Sequence, residues 1–214
     1  MSSAPNRKMT VVEYLKAERA SASRNIFFDG EMFAMTGVTR EHSLIAGNTF
    51  TAINVQLQNR SCEAHINDLR VKNARTGSYF YPDVLATCES PKFEDDQFDT
   101  LVNPQVIIEV LSDSTENFDR GLKFRDYQLL ESLKEYVLIS QKEMYVERFT
   151  RKTESTWEFW SAKSPEDILD LAAIDCQISL ARIFAKVEFK TDDRPDDDLK
   201  VIEEAAKYQS SGST

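Results

Sequence analysis

Asn103-Pro104-Gln105-Val106-Ile107-Ile108-Glu109-Val110-Leu111-Ser112 is the stretch that decides how this chain folds. Val106, Ile107, Ile108 and Val110 are apolar and β-branched, the composition of a strand covered on both faces. Glu109 interrupts the run, and a carboxylate is rarely buried unless it is paired or bound to a metal. Upstream, Tyr79-Phe80-Tyr81-Pro82-Asp83-Val84-Leu85-Ala86 repeats the pattern, an apolar run broken by the single acid Asp83. Two isolated carboxylates on two apolar strands describe a site for a hard cation.

Bulk composition limits what such a site serves. With 214 residues, 41% hydrophobic and 29% charged, the chain is long enough to bury a sizeable core, and no apolar run approaches a bilayer span. The segment Met1-Ser2-Ser3-Ala4-Pro5-Asn6-Arg7-Lys8 lacks the apolar centre of a secretion signal. Cys62, Cys88 and Cys176 are odd in number and widely spaced, and read as reduced core residues of a cytoplasmic protein. A net charge of −10 argues against a protein that coats nucleic acid, but the excess acid gathers in Glu94-Asp95-Asp96 and residues 192–204. A local basic face near the site stays compatible with that distribution.

Local signals order the rest. Thr10 and Glu13 have capping-box spacing, which predicts a helix to about Arg19. Asp29-Gly30 predicts a hairpin over 25–35, with Glu31 just past the turn. Ala46, Phe50, Ile53 and Leu57 form a helical stripe within 39–59, and His42 lies one turn above Ala46 as either a structural histidine or part of the site. Strands are expected over 62–66, 69–73, 79–88 and 105–111, with 90–99 an acidic surface loop. A helix over 117–130 carries Arg120, Lys123 and Tyr127. Strands over 135–140, 144–150 and 156–161 follow, then short apolar segments over 168–171 and 176–180 and a helical turn near Phe184. The expected organisation is one domain over 10–190, a flexible N-terminus over 1–9 and a flexible acidic tail over 191–214, with at most a short helix near 201–208.

The chemistry follows from the two acids. Mg²⁺ takes one or two protein carboxylates and keeps several waters, and Asp83 and Glu109 on neighbouring strands would supply that pair. Phosphodiester hydrolysis needs an activated water and a counter-charge, which a metal ion and a nearby lysine provide. Each residue also has a structural reading: Asp83 after Pro82 as a turn residue, Glu109 as half of an ion pair with Lys123 or Arg120, Glu31 as a surface acid, Tyr127 as a core aromatic. Asp68 and Arg70 read as a local pair or a turn.

A resemblance sharpens this outline. Phe28-Asp29-Gly30-Glu31, Glu41-His42-Ser43, Asp68-Leu69-Arg70-Val71, Tyr81-Pro82-Asp83-Val84, Ile108-Glu109-Val110-Leu111-Ser112 and Asp119-Arg120-Gly121-Leu122-Lys123-Phe124, in this order, resemble the Uma-type restriction endonuclease family of the PD-(D/E)XK superfamily. The run Tyr127–Leu130, Ser132-Leu133 and Glu135-Tyr136-Val137-Leu138 is similar to it as well, so the resemblance covers about Thr10 to Val187. It implies an α+β (α/β) fold, a restriction-endonuclease-like core with a mixed central β-sheet flanked by helices and extra β-hairpins. It also implies Asp83 and Glu109 as ligands of Mg²⁺, for which Mn²⁺ can substitute, and Glu31 approaching from the N-terminal part of the core.

Where the superfamily places a lysine two residues past the acid, this chain has Leu111, and Lys123 on the next helix matches the position that supplies it in the family. Arg120, one turn away, is the alternative donor. The implied activity is a Mg²⁺-dependent endonuclease acting on DNA, in the cytoplasm and as a homodimer by analogy with two-site cutting. Two other readings remain: an inactive nuclease-fold module that binds nucleic acid or a protein partner, and a metal-dependent hydrolase of another phosphate ester.

Overall fold

Thr10 starts the first helix by a reciprocal cap. Its side chain accepts from the Glu13 N–H, the Glu13 carboxylate accepts from the Thr10 N–H, and α1 runs Val11–Ala20. The structure, a computed structural model, describes residues 8–35 and 37–189. Lys8 pairs with Asp29, and the Met9 N–H donates to the Gly30 carbonyl. The rest of the expected flexible N-terminus, and the whole expected acidic tail with its short helix, lie outside the described residues.

β1 (Asn25–Phe28) and β2 (Glu31–Ala34) form the hairpin around Asp29 and Gly30, whose φ values of 49° and 76° suit a two-residue turn. Thr39 caps α2 (Arg40–Leu57), which buries Ala46, Ile53 and Leu57 of the expected stripe. Six strands follow: β3 (Glu63–Ile66), β4 (Arg70–Asn73), β5 (Ser78–Phe80), β6 (Val84–Thr87), β7 (Thr100–Leu101) and β8 (Val106–Leu111). The expected helix over 117–130 is shorter and irregular. It comprises α3 (Glu116–Phe118), a π-helical turn over Asp119–Lys123 and α4 (Phe124–Tyr127). The remaining elements are β9 (Glu135–Ser140), β10 (Val146–Arg151), β11 (Trp157–Ala162), β12 (Ile168–Leu171), β13 (Cys176–Ser179) and α5 (Leu180–Ile183).

The strands build a six-stranded sheet in the order β11-β10-β9-β8-β6-β3, a five-stranded sheet in the order β2-β1-β5-β4-β7, and the pair β12-β13. β8 is central to the larger sheet, antiparallel to β6 and parallel to β9, and all its residues are buried. Val106, Ile108 and Val110 join Ile45 and Ile53 of α2 in one core, while Ile107 and Leu111 face Phe80, Tyr127 and Tyr136 in the other. Each fully buried aliphatic chain contributes about 2 kcal/mol, so this strand ties both layers together. Among the described residues no helix is long and apolar enough to cross a membrane.

Several expectations change. The single strand predicted over 79–88 is two strands in different sheets: the chain leaves the five-stranded sheet after Phe80 and enters the six-stranded one at Val84. Pro82, which has no N–H to give a ladder, stands in the gap. Cys62 and Cys88 are not reduced; they form a disulfide. Glu63 pairs with Thr87 in the β3–β6 ladder, so the next rung sets position 62 opposite 88, a proximity created by register and invisible in sequence spacing. Cys176 is free and buried, as expected.

Asp68 and Arg70 do not pair with each other. Asp68 meets Arg24, while the buried Arg70 binds Asp99 at 2.5 Å. The acidic loop over 90–99 is therefore anchored: Asp99 also takes Arg19, and Glu94 takes Lys72 at 2.6 Å and the Tyr79 hydroxyl at 2.7 Å.

Candidate active site

Strand register brings the two acids together. Val84 pairs with Ile108 in the antiparallel β6–β8 ladder, so one further rung sets Asp83 opposite Glu109. Asp83 is thus not inside a strand, as its sequence context suggests, but at the bend where the chain enters the larger sheet. Its Oδ2 accepts the Val110 N–H at 2.7 Å and lies 3.3 Å from His42 Nε2 in the first turn of α2.

Glu109 is 3% exposed, and its Oε1 lies 2.8 Å from Lys123 Nζ and 3.2 Å from the Tyr127 hydroxyl. Lys123 Nζ also donates to Asp119 Oδ1 at 2.9 Å. The lysine ammonium is thereby clamped between two carboxylates on a π-helical turn, a geometry that concentrates at functional positions.

Burial sets the electrostatics. Removal from water pushes the Glu109 carboxyl up, to about 8, with Lys123 pulling the other way. For Lys123 burial alone would lower the value, but Glu109 and Asp119 outweigh it and raise it, so the ammonium keeps its proton. Burial, with the charge of Glu109, raises the Tyr127 hydroxyl well above its usual range, leaving a neutral donor.

Asp83, Glu109, Lys123, His42 and Glu31 border one cavity of about 840 Å³. Glu31 is exposed and faces the cavity from the β2 edge, while Tyr127 stands behind Glu109 as its hydrogen-bond donor. Arg120 goes elsewhere: its guanidinium pairs with Glu116 at 2.9 Å and with Glu147, and it does not border the cavity. Asp119, buried and bordering the cavity, is the residue the sequence reading did not single out. Its i,i+4 spacing to Lys123 was the available signal.

Among the described residues no group of three or more His, Cys, Asp or Glu side chains is placed to hold a metal ion. A pair of carboxylates completed by water is nevertheless what Mg²⁺ accepts, so Asp83 and Glu109 fit that ion and do not fit a closed all-protein cage.

The profile of the family described as "Uma2: Putative restriction endonuclease" matches residues 11–182. The chain belongs to that family. The uncharacterized Synechocystis protein sll1609 is 33% identical over 154 residues, 72% of this chain and 87% of its own length. A second uncharacterized Synechocystis protein, slr1290, is 32% identical over 187 residues, 87% of this chain and 97% of its own. Among solved structures, a protein from Anabaena variabilis described as "a putative nuclease belonging to DUF820" superposes with a TM-score of 0.66 at 17% identity, covering 84% of this chain and 99% of that one. The mixed α+β core flanked by helices, expected from the sequence, is the fold present.

In this Uma2 member the position two residues past Glu109 is Leu111, 4% exposed and packed in the core beneath the helical segment. The Lys123 ammonium, arriving from the π-helical turn, lies beside the acid.

Proposed function

We propose that this Uma2-family chain is a Mg²⁺-dependent nuclease that hydrolyses phosphodiester bonds of nucleic acid, DNA in the first place. The observation that carries the reading is the Lys123 ammonium fixed beside Glu109, which stands opposite Asp83, on the border of an open cavity. Mg²⁺, or Mn²⁺ in its place, held by Asp83 and Glu109 would supply a polarised water and a counter-charge for the phosphate.

The chain's own groups do the rest. Lys123, permanently charged, offers a preorganised donor where negative charge develops on the phosphate oxygens. Asp119 and Tyr127 keep Lys123 and Glu109 in place. The Val110 N–H fixes the orientation of Asp83, with His42 against the same oxygen. The homodimer expected by analogy would be needed only where both strands of a duplex are cut.

The test is cleavage of nucleic acid by the purified chain with Mg²⁺, compared with Asp83→Asn and Glu109→Gln, both of which should be inactive. A second reading has its own support: Lys123 is already paired on both sides, as in a sealed structural ion pair. Calorimetric titration with Mg²⁺ or Mn²⁺ that gave no binding heat would favour that binding-only module over the nuclease.

A further inference from the structure

The wall of the cavity bears on which form of nucleic acid enters it, an inference that rests on the nuclease reading above. β1 and β2 pair Ile26 with Phe33 and Phe28 with Glu31, so these side chains share one sheet face, and all of them border the cavity. Phe27 and Met32 point the other way, toward Tyr14 and Tyr79. Phe33 is 44% exposed, Leu122 is 50% exposed and Val38 is 61% exposed, all on the cavity border. Exposed apolar side chains gathered beside a polar site mark a surface that something covers. An unpaired base has an apolar face to offer; a base inside a duplex does not.

Charge leads to the same conclusion. Among the described residues Lys123 is the one lysine or arginine that borders the cavity, and its ammonium is flanked by Glu109 and Asp119. Asp29, Glu31, Asp83 and Asp113 add more acid to the border, and Lys8 and Lys142 are drawn to Asp29 and Asp113. A protein that grips a duplex by its backbone neutralises many phosphates with lysine and arginine. Among the described residues the cleft offers no such row.

Depth agrees with a narrow approach to the reacting groups: Glu109 and Lys123 are 3% and 7% exposed, and the cavity of about 840 Å³ has room for a nucleotide beside them.

We propose that the substrate is a single-stranded nucleic acid, with one unpaired base stacked on Phe33 and its phosphate directed at Lys123. The test offers the full chain, with Mg²⁺, a labelled oligothymidine, the same strand annealed to its complement, and an oligouridine. Binding is read by fluorescence anisotropy and cutting by gel. The unpaired strand should be cut about tenfold faster than the duplex or more, with a shallow salt dependence of binding. Phe33→Ala should lose about tenfold in kcat/KM on the strand, the worth of one stacked base. Phe159→Ala, which removes an exposed ring on β11 that does not border the cavity, should change nothing, and both variants should keep the parent melting temperature.

A preference between thymidine and uridine strands reports the sugar together with the base's 5-methyl group, and either supports the inference. Duplex cut as fast as the strand, or Phe33→Ala cutting the strand at the full rate, overturns the inference and leaves the nuclease reading standing. A strand that binds, binds less well to Phe33→Ala and is never cut keeps the inference and removes the nuclease reading. A strand neither bound nor cut overturns both.

Discussion

Lys123 and Glu109 meet across the gap between a helical turn and a strand, Nζ 2.8 Å from Oε1, with both side chains nearly sealed from solvent. That burial ties Lys123 to stability as well as to turnover. Deleting one member of a sealed pair leaves an uncompensated group, a loss of about 3 kcal/mol. Lys123→Met is expected to lower the unfolding free energy by about that amount in denaturant titration and to cut turnover about 100-fold or more. An unchanged denaturation midpoint would mean that the pair is open in solution.

Asp83→Asn separates fold from chemistry. The amide oxygen still accepts the Val110 N–H, so the melting temperature should stay near that of the parent. The lost charge should abolish divalent-ion binding in calorimetry. An ion that still bound with parental affinity would have to sit elsewhere.

Asp99 predicts an acid-sensitive step in stability. Hydrogen bonding from Arg19, then from Arg70, holds its carboxyl well below the usual carboxylate range against the opposing effect of burial. With the folded value depressed below the unfolded value of about 4, the stabilisation is fully present above that pH and is lost as pH falls through the folded value. Asp99→Asn leaves the buried Arg70 without its anion and should cost about 2 kcal/mol at neutral pH. The gap between parent and variant should close as the solution is acidified below about pH 4. A constant gap across the acid range would show that the charge contributes nothing.

The Cys62–Cys88 bond closes a loop with a sequence separation of 26. Constraining the unfolded chain over that length is worth about 3 kcal/mol. Cys62→Ser, or unfolding in the presence of dithiothreitol, should lower stability by about this much while the β3–β6 ladder persists. Identical denaturation curves with and without reductant would show that the bond does not form.

What could be read from the sequence was what local rules govern. The cap at Thr10, the turn at Asp29-Gly30, the stripe of α2 and the doubly covered strand around Glu109 all depend on neighbours a few residues apart. What could not be read depends on register or on distant partners. The disulfide and the alignment of Asp83 with Glu109 both come from ladder rungs, which spacing does not reveal. Pro82 carried the cue that splits 79–88 between two sheets, yet the apolar residues around it hid the break. Asp119 was masked because a π-helical turn departs from the periodicity used to find faces. Arg120 was misdirected because Glu147, the acid that captures it, lies on β10.

The cavity is assembled from separable parts. Glu109 belongs to the six-stranded sheet and Asp83 to its margin, whereas Ile26, Phe28 and Phe33 belong to a hairpin whose second strand is the free edge of the five-stranded sheet. β1 meets β5 at one rung, Phe27 opposite Tyr79, and Phe27 and Met32 pack on Tyr14 and Tyr79, so a replacement hairpin has to bring those two core residues with it while its other face is free to vary. Recombining this hairpin between relatives should therefore transplant the choice of substrate while the host keeps its own bond-breaking apparatus, which makes β1–β2 an exchangeable cartridge for engineering selectivity.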